Sequence, residues 1–203
     1  MTYDPDKHHR RSIRLKNYDY GQPGTYYVTI CTARRRCLFG RIENEKMHSS
    51  PSGEIVQEEW LRSAEMRSRV ALDAFVIMPN HLHGIILLSD FDGASESVAA
   101  AETRRVTLQR DPTPDDEAPQ RDATFEQFGK PTSDTIPTIV RLFKSAATKR
   151  INLSRGTSGS PVWQRNYYEH VVRDQEDLNR IRQYIAANLS RWNDDIENPR
   201  NRR

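Results

Sequence analysis

The stretch ALDAFVIMPNHLHGIILL, residues 71–88, decides how this chain folds. Two apolar runs, 71–78 and 81–88, flank Pro79-Asn80, a dipeptide that ends regular structure and starts a turn. Each run is too short for a buried helix, so the pattern predicts strand, turn, strand. Inside the second run His81 and His83 are one residue apart. Alternate side chains of a strand share a face, so both imidazoles point to the same side and can grip one metal ion. The same spacing also suits two hydrogen-bonded histidines on a half-exposed strand.

Upstream, YYVTICTA (26–33) is rich in β-branched and aromatic residues and follows Gly21, Pro23 and Gly24, which predicts a first strand after a turn. Basic residues border it on both sides, in HHRRSIRLKNYDY before it and at Arg34, Arg35 and Arg36 after it. Residues 51–69 open on Ser/Pro/Gly punctuation and then place Ile55, Val56, Trp60, Leu61 and Ala64 at helical spacing, with Glu54, Glu58 and Glu59 in the early turns. Downstream, 89–134 carries Asp, Glu, Ser, Thr, Pro and Ala with almost no aliphatic periodicity, the composition of a flexible acidic insertion. A helix follows over 136–151, where Ile139, Phe143, Ala146, Ala147 and Ile151 share a stripe that excludes Arg141, Lys144 and Lys149. VWQRNYYEHVV (162–172) reads as a short final strand. Asp174 then caps a last helix whose first turn holds Glu176 and Asp177 and whose apolar positions are Leu178, Ile181, Ile185, Leu189 and Trp192. The order β-α-β-β-α-β-α contains the split βαβ of a ferredoxin-like sandwich, an α+β fold with an antiparallel sheet and helices on one face. The expected organisation is a basic N-terminal arm (1–25), one domain (26–193) carrying the insertion, and a C-terminal tail (194–203).

With 203 residues the chain has room for one ordinary domain plus tails. Apolar residues make up only 35% and charged residues 29%, consistent with a segment that adds nothing to a core. The formal charge is +3, but residues 90–130 hold ten acids and five bases. Without them 26 bases face 18 acids, and 25 of the chain's 31 bases are Arg, whose planar fork suits phosphates and base edges. A nucleic acid is therefore the expected partner. Phosphate contacts are expected from Arg10, Arg11, Arg14 and Lys16, from Arg34, Arg35 and Arg36, and from Arg141, Lys144, Lys149 and Arg150. Tyr18 and Tyr20, interleaved with bases, are candidates for stacking on unpaired nucleobases. Cys31 and Cys37 match neither a metal spacing nor a disulfide framework. Polar residues after Arg10-Arg11 and the lack of an 18-residue apolar run argue against an export signal and a membrane span, so a cytoplasmic, nucleoid-associated location is expected.

On the last helix Tyr184 and Asn188 stand four residues apart and project side by side. A phenol there could attack phosphorus, and the Asn188 carbonyl oxygen could complete the coordination of an ion held by the two histidines. Tyrosine has a pKa near 10, so such a nucleophile needs a cation close to the developing charge. Tyr167 and Tyr168 compete for the nucleophile's role and His170 for a ligand's.

Four blocks resemble one family in the right order. FVIMPNHLHGIILL resembles the histidine-hydrophobic-histidine (HUH) segment of single-tyrosine transposases, and VWQRNYYEHVVRDQEDLNRIRQYIAANL is similar to the tyrosine-helix region of the REP-associated tyrosine transposases. RRSIRLKNYDYGQPGTYYVTICTARR and RLFKSAATKRIN are similar to that family's N-terminal and second-helix segments. The resemblance implies that His81 and His83 bind a divalent metal, Mg²⁺ or Mn²⁺, that Tyr184 is the nucleophile and that Asn188 is the third protein ligand. It also implies cleavage of single-stranded DNA beside palindromic REP-type hairpins, through a 5′-phosphotyrosine that is later rejoined without ATP. A monomer is expected, with a dimer that exchanges its last helix as the alternative. The chain departs from the family where Asn188-Leu189 stands in place of a frequent Asn-Pro, and in the acidic insertion. Two rival functions remain: a non-catalytic nucleic-acid-binding module of the same fold, and a metal-dependent phosphodiesterase in which water attacks.

Overall fold

Strand β1 (Gly24–Cys31) lies at the centre of a four-stranded antiparallel sheet, with β5 (His81–Leu88) on one side and β6 (Tyr168–Val172) on the other; β4 (Val70–Met78) pairs with the far edge of β5. The computed structural model describes residues 18–90 and 134–201. Arg10, Arg11, Arg14 and Lys16 of the expected arm, and residues 91–133 of the expected insertion, lie outside the described residues.

Each helix begins where its cap residue dictates. Ser50 Oγ accepts from the Gly53 N–H at 3.2 Å to start α1 (Pro51–Glu65), and Thr135 accepts from Thr138 to start α2 (Ile136–Arg155). Asp174 Oδ1 accepts from the Asp177 N–H at 2.7 Å to start α3 (Gln175–Ala187). Gly156, at φ 62°, ends α2 in the left-handed conformation that costs glycine little.

The order β4-β5-β1-β6 is that of a ferredoxin-like sheet, and α1 and α2 cover one face of it as expected. Tyr26, Val28 and Ile30 of β1 and Leu82 and Ile86 of β5 point to that side, where they meet Trp60 of α1 and Ile139, Phe143, Ala147 and Ile151 of α2. Trp60 lies directly over Gly84: a Cβ there would come within 2.4 Å of the indole. The third helix departs from the expectation of helices on one face. Leu178, Ile181 and Ile185 of α3 pack on the opposite side, against Tyr27 and Ile85 and the partly buried Ala74, Val76, Leu87 and Val172. The physical reason is that both faces of β1 and β5 carry apolar residues, and α3 covers the end of the second face that the histidines leave apolar. Arg182 of α3 also pairs with Asp73 of β4, its Nε donating to Oδ1 at 3.0 Å, beside the register shift between Leu72 and Phe75.

Other boundaries shift. A hairpin of β2 (Gly40–Glu43) and β3 (Lys46–Ser49) occupies a stretch for which the sequence predicts no strand, turning through Asn44 and Glu45 at φ 51° and 59°. The helix expected to reach residue 69 ends at Glu65. The final strand starts only at Tyr168, while Trp163 touches the sheet through a single bridge to Thr32. Among the described residues no helix is long and apolar enough to cross a membrane.

Candidate active site

Alternation along β5 puts Leu82, Gly84 and Ile86 into the main core and leaves His81, His83 and Ile85 on the α3 side. The imidazoles are therefore neighbours, with ring centroids 4.6 Å apart, and both are buried. Their δ nitrogens are engaged. His81 Nδ1 lies 2.8 Å from Asn80 Oδ1, and His83 Nδ1 lies 2.7 Å from the Tyr27 hydroxyl and 2.9 Å from Thr29 Oγ1. Both Nε2 atoms are buried and lack a hydrogen-bond partner. Burial, helped by His83 and Arg35, holds the His81 pKa down to about 2, and burial alone holds that of His83 down to about 4. Both rings are neutral at pH 7, with a lone pair to offer.

Tyr184 comes to this corner from α3. Its ring centroid is 5.3 Å from that of His83 and 6.5 Å from that of Tyr27, and the residue is 43% exposed. Partial burial and the neighbouring Asp195 raise the pKa of the phenol, while Asn188 and Arg191 oppose that shift. Asn188 is buried at the end of the same helix, where its Nδ2 donates to the Tyr184 carbonyl at 2.8 Å. That bond orients the amide and leaves Oδ1 as the atom that could ligate an ion. The structure thus brings His81, His83 and Tyr184 together, with Asn188 one turn from the phenol.

The surrounding cavity, about 480 Å³, is lined among others by Tyr27, Thr29, Tyr167, Tyr168, Asp195 and Glu197. The last two come from the stretch expected to be a tail. Asp195 Oδ2 lies 3.7 Å from His81 Nε2, and burial raises its carboxyl pKa against the pull of Arg35. Glu197 is ion-paired with Arg35, and its carbonyl accepts from Asn80 Nδ2 at 2.7 Å. Among the described residues no three His, Cys, Asp or Glu side chains gather tightly enough to hold a metal by themselves. Asn80, Tyr27, Thr29 and Asp195 are not anticipated from the sequence. Tyr27 and Thr29 carry a signal, since they share one face of β1 and Thr29 pairs in register with His83. Asp195 carries none, because it arrives through a short 3-10 turn (Trp192–Asp194) that has no periodic signature.

Of the competitors, Tyr167 and Tyr168 line the same cavity as Tyr184, while His170 is engaged elsewhere. His170 Nε2 is 2.7 Å from Asp177 Oδ2, tying β6 to the first turn of α3. Tyr168 is exposed at the mouth of the cavity, with its ring 6.2 Å from that of Tyr27. Tyr18 and Tyr20 pack edge to face beside Tyr26, at 4.9 Å from each other, so Tyr20 belongs to the core.

Of the bases expected to meet phosphates, Arg34 is exposed, Arg35 holds Glu197, and Arg36 donates to the Pro161 carbonyl at 3.1 Å. On α2, Arg141 and Lys149 are exposed and line a groove of about 810 Å³ with Arg165, Trp163 and Tyr167. Lys144 instead donates to the carbonyls of Gln164 and Arg165, at 2.6 and 3.1 Å, and burial lowers its pKa to about 8. Arg150 bridges to Glu58 and Glu59 of α1, at 2.5 and 2.8 Å.

No family model matches the sequence. Among solved structures the chain is similar to that of a REP-associated tyrosine transposase bound to a REP hairpin, with 16% identity and a TM-score of 0.52 over 90% of this chain and 74% of that one. At that identity the likeness concerns the fold. A much nearer relative is an uncharacterized protein from Haemophilus influenzae, 39% identical over 194 residues. The match takes in 95% of each chain, and the protein belongs to one family with this Haemophilus influenzae relative.

Proposed function

We propose that this chain is a metal-dependent single-stranded DNA endonuclease and strand transferase that cuts and rejoins DNA beside palindromic REP-type hairpins, with Tyr184 as nucleophile. The observation that carries the reading is the approach of Tyr184 to His83 in a corner where His81 and His83 each hold a buried Nε2 without a hydrogen bond. A buried imidazole nitrogen is costly to leave unpaired, and two of them, neutral and adjacent, fit a cation. His81 and His83 with the Asn188 amide oxygen are the residues that would hold it, a mixed N/O set that Mn²⁺ accepts and Mg²⁺ tolerates. When bound, such an ion polarises a phosphodiester oxygen and stabilises negative charge near the phenol.

The rest is the work of side chains. Tyr184 Oη attacks the phosphorus; the Tyr O–P bond forms as the P–O3′ bond breaks, and the proton lost by the phenol is made good on the departing 3′ oxygen. One phosphodiester is exchanged for another, so attack by the 3′-hydroxyl reverses the step without ATP. Asn188 and Arg191 favour the phenolate against partial burial and Asp195. Tyr168 at the cavity mouth offers an exposed ring on which an unpaired base can stack. Arg34, Arg141 and Lys149 remain exposed for phosphates, and the basic residues before Tyr18 add to them. The solved transposase that shares this fold holds a REP hairpin, which supports that class of substrate. Because α3 returns Tyr184 to the histidines of its own chain, the unit of activity in this reading is a monomer.

Labelled hairpins with single-stranded flanks, incubated with the protein and Mn²⁺, are expected to leave label on the denatured polypeptide. Tyr184→Phe is expected to abolish both cleavage and adduct while hairpin affinity stays within about twofold, since only a hydroxyl is lost. An active Phe variant overturns the assignment of the nucleophile. Cut DNA without an adduct favours attack by water, and binding that ignores both Tyr184→Phe and chelators, with no cleavage, favours a binding module.

A further inference from the structure

We infer that Asn80 is a positioning residue that makes His81 a ligand, by fixing which nitrogen of the imidazole carries the proton. The inference rests on the metal-dependent reading above. Asn80 is 1% exposed and sits in the two-residue connection between β4 and β5. Its Nδ2 donates to the Glu197 carbonyl at 2.7 Å and the Arg35 carbonyl at 3.1 Å. Carbonyl oxygens only accept, so both amide protons are used there and the amide cannot be turned around. Oδ1 is thereby left facing His81 Nδ1 at 2.8 Å. An acceptor at that distance requires Nδ1 to bear the hydrogen, and a neutral ring protonated at Nδ1 has a bare lone pair at Nε2.

The other side of the ring shows why such a device is needed. Asp195 Oδ2 stands 3.7 Å from His81 Nε2 and invites a proton to that nitrogen. An Nε2–H pointing at Asp195 would occupy the lone pair a metal needs. Asn80, nearer by almost an ångström and locked from behind, decides the contest for Nδ1–H. The amide thus has two separable roles: its donors tie the segments around Arg35 and Glu197 to the sheet, and its oxygen sets the tautomer.

Two variants of the full-length protein separate these roles. Asn80→Asp keeps an acceptor opposite Nδ1 and loses both donors, whereas Asn80→Ala loses the acceptor as well. Long-range ¹H–¹⁵N correlation of the metal-free protein reports the tautomer. His81 is expected as Nδ1–H in the wild type and Asn80→Asp, and as Nε2–H in Asn80→Ala. Mn²⁺ affinity, read from the EPR signal of the free ion, is expected to fall about ten- to a hundredfold in Asn80→Ala, the usual effect of removing a hydrogen-bond partner of a ligating histidine, and to stay within about threefold in Asn80→Asp. A wild-type His81 with the proton on Nε2 overturns the inference, as does an Asn80→Asp that loses affinity together with Asn80→Ala, because then the donors alone matter. Should Asn80→Ala not fold, the wild-type and Asn80→Asp spectra still decide. A wild type that shows Nδ1–H but binds no Mn²⁺ removes the metal reading and leaves Asn80's hold on the ring standing.

Discussion

Burial sets the charge of the paired imidazoles, and that has a measurable sign. In the unfolded chain a histidine takes up its proton near pH 6.5, whereas in the folded protein His83 does so only near 4 and His81 only near 2. Between those values the unfolded state binds more protons, so stability is full above pH 6.5 and is lost as the pH falls from there toward 4 for His83 and toward 2 for His81. The expected slope is on the order of 1 kcal/mol per pH unit for each imidazole, read from urea midpoints of the metal-free protein at pH 7.5, 6 and 5. Replacing His83 by Gln, which does not titrate there, is expected to remove about half of the slope. An unchanged slope would mean that the rings reach solvent. Much of this corner is legible in the sequence: period two puts His81 and His83 on one face, and a step of four puts Tyr184 beside Asn188. Asn80 is not, because its role depends on carbonyls 45 and 117 positions away. A turn-forming dipeptide explains its presence well enough from local rules alone.

At the scale of elements, the contact between Trp60 and Gly84 positions β5 under α1. Gly84→Ala would put a methyl group 2.4 Å from the indole of a fully buried tryptophan, in the residue next to His83. The expected cost is about 1–3 kcal/mol, as for other overpacked cores, measured as a lower denaturant midpoint with an unchanged m-value. A neutral or stabilising result would show that Trp60 can move aside. All three helices and the central strands follow from periodicity and caps, and Asp174 closes α3 as its chemistry suggests. The β2–β3 hairpin is hidden for a physical reason. Its turn needs positive φ at two successive residues, and here Asn44-Glu45 supply it where Asn-Gly would have announced it. The face chosen by α3 is hidden too, since an amphipathic stripe says that a helix packs but not on which side of a sheet with two apolar faces.

Across the whole molecule, net charge says that bases are in excess, and only the tertiary structure says which are already committed. Arg150 spans α1 and α2 through Glu58 and Glu59, while Arg141 and Lys149 face solvent. The double change Arg141→Ala with Lys149→Ala is therefore expected to weaken binding to single-stranded DNA and to lower the slope of log K against log salt by about 1.4, roughly 0.7 for each phosphate that is no longer neutralised. Arg150→Ala is expected to leave that slope alone and to lower Tm instead. Equal slopes for the wild type and the double variant, in fluorescence anisotropy from about 50 to 300 mM salt, would move the DNA path off α2. Charge arithmetic alone treats Arg141, Lys144, Lys149 and Arg150 as equivalent, which is where composition stops informing the site. Between Met78 and His81 the chain has only Pro79 and Asn80 with which to reverse direction. Gaining or losing one residue there would exchange odd for even along all of β5, sending both imidazoles against Trp60 and turning Leu82 and Ile86 toward Tyr184. The length of that connection thus keeps chemistry and core on their own sides of the sheet, and it leaves evolution no room for an insertion of a single codon.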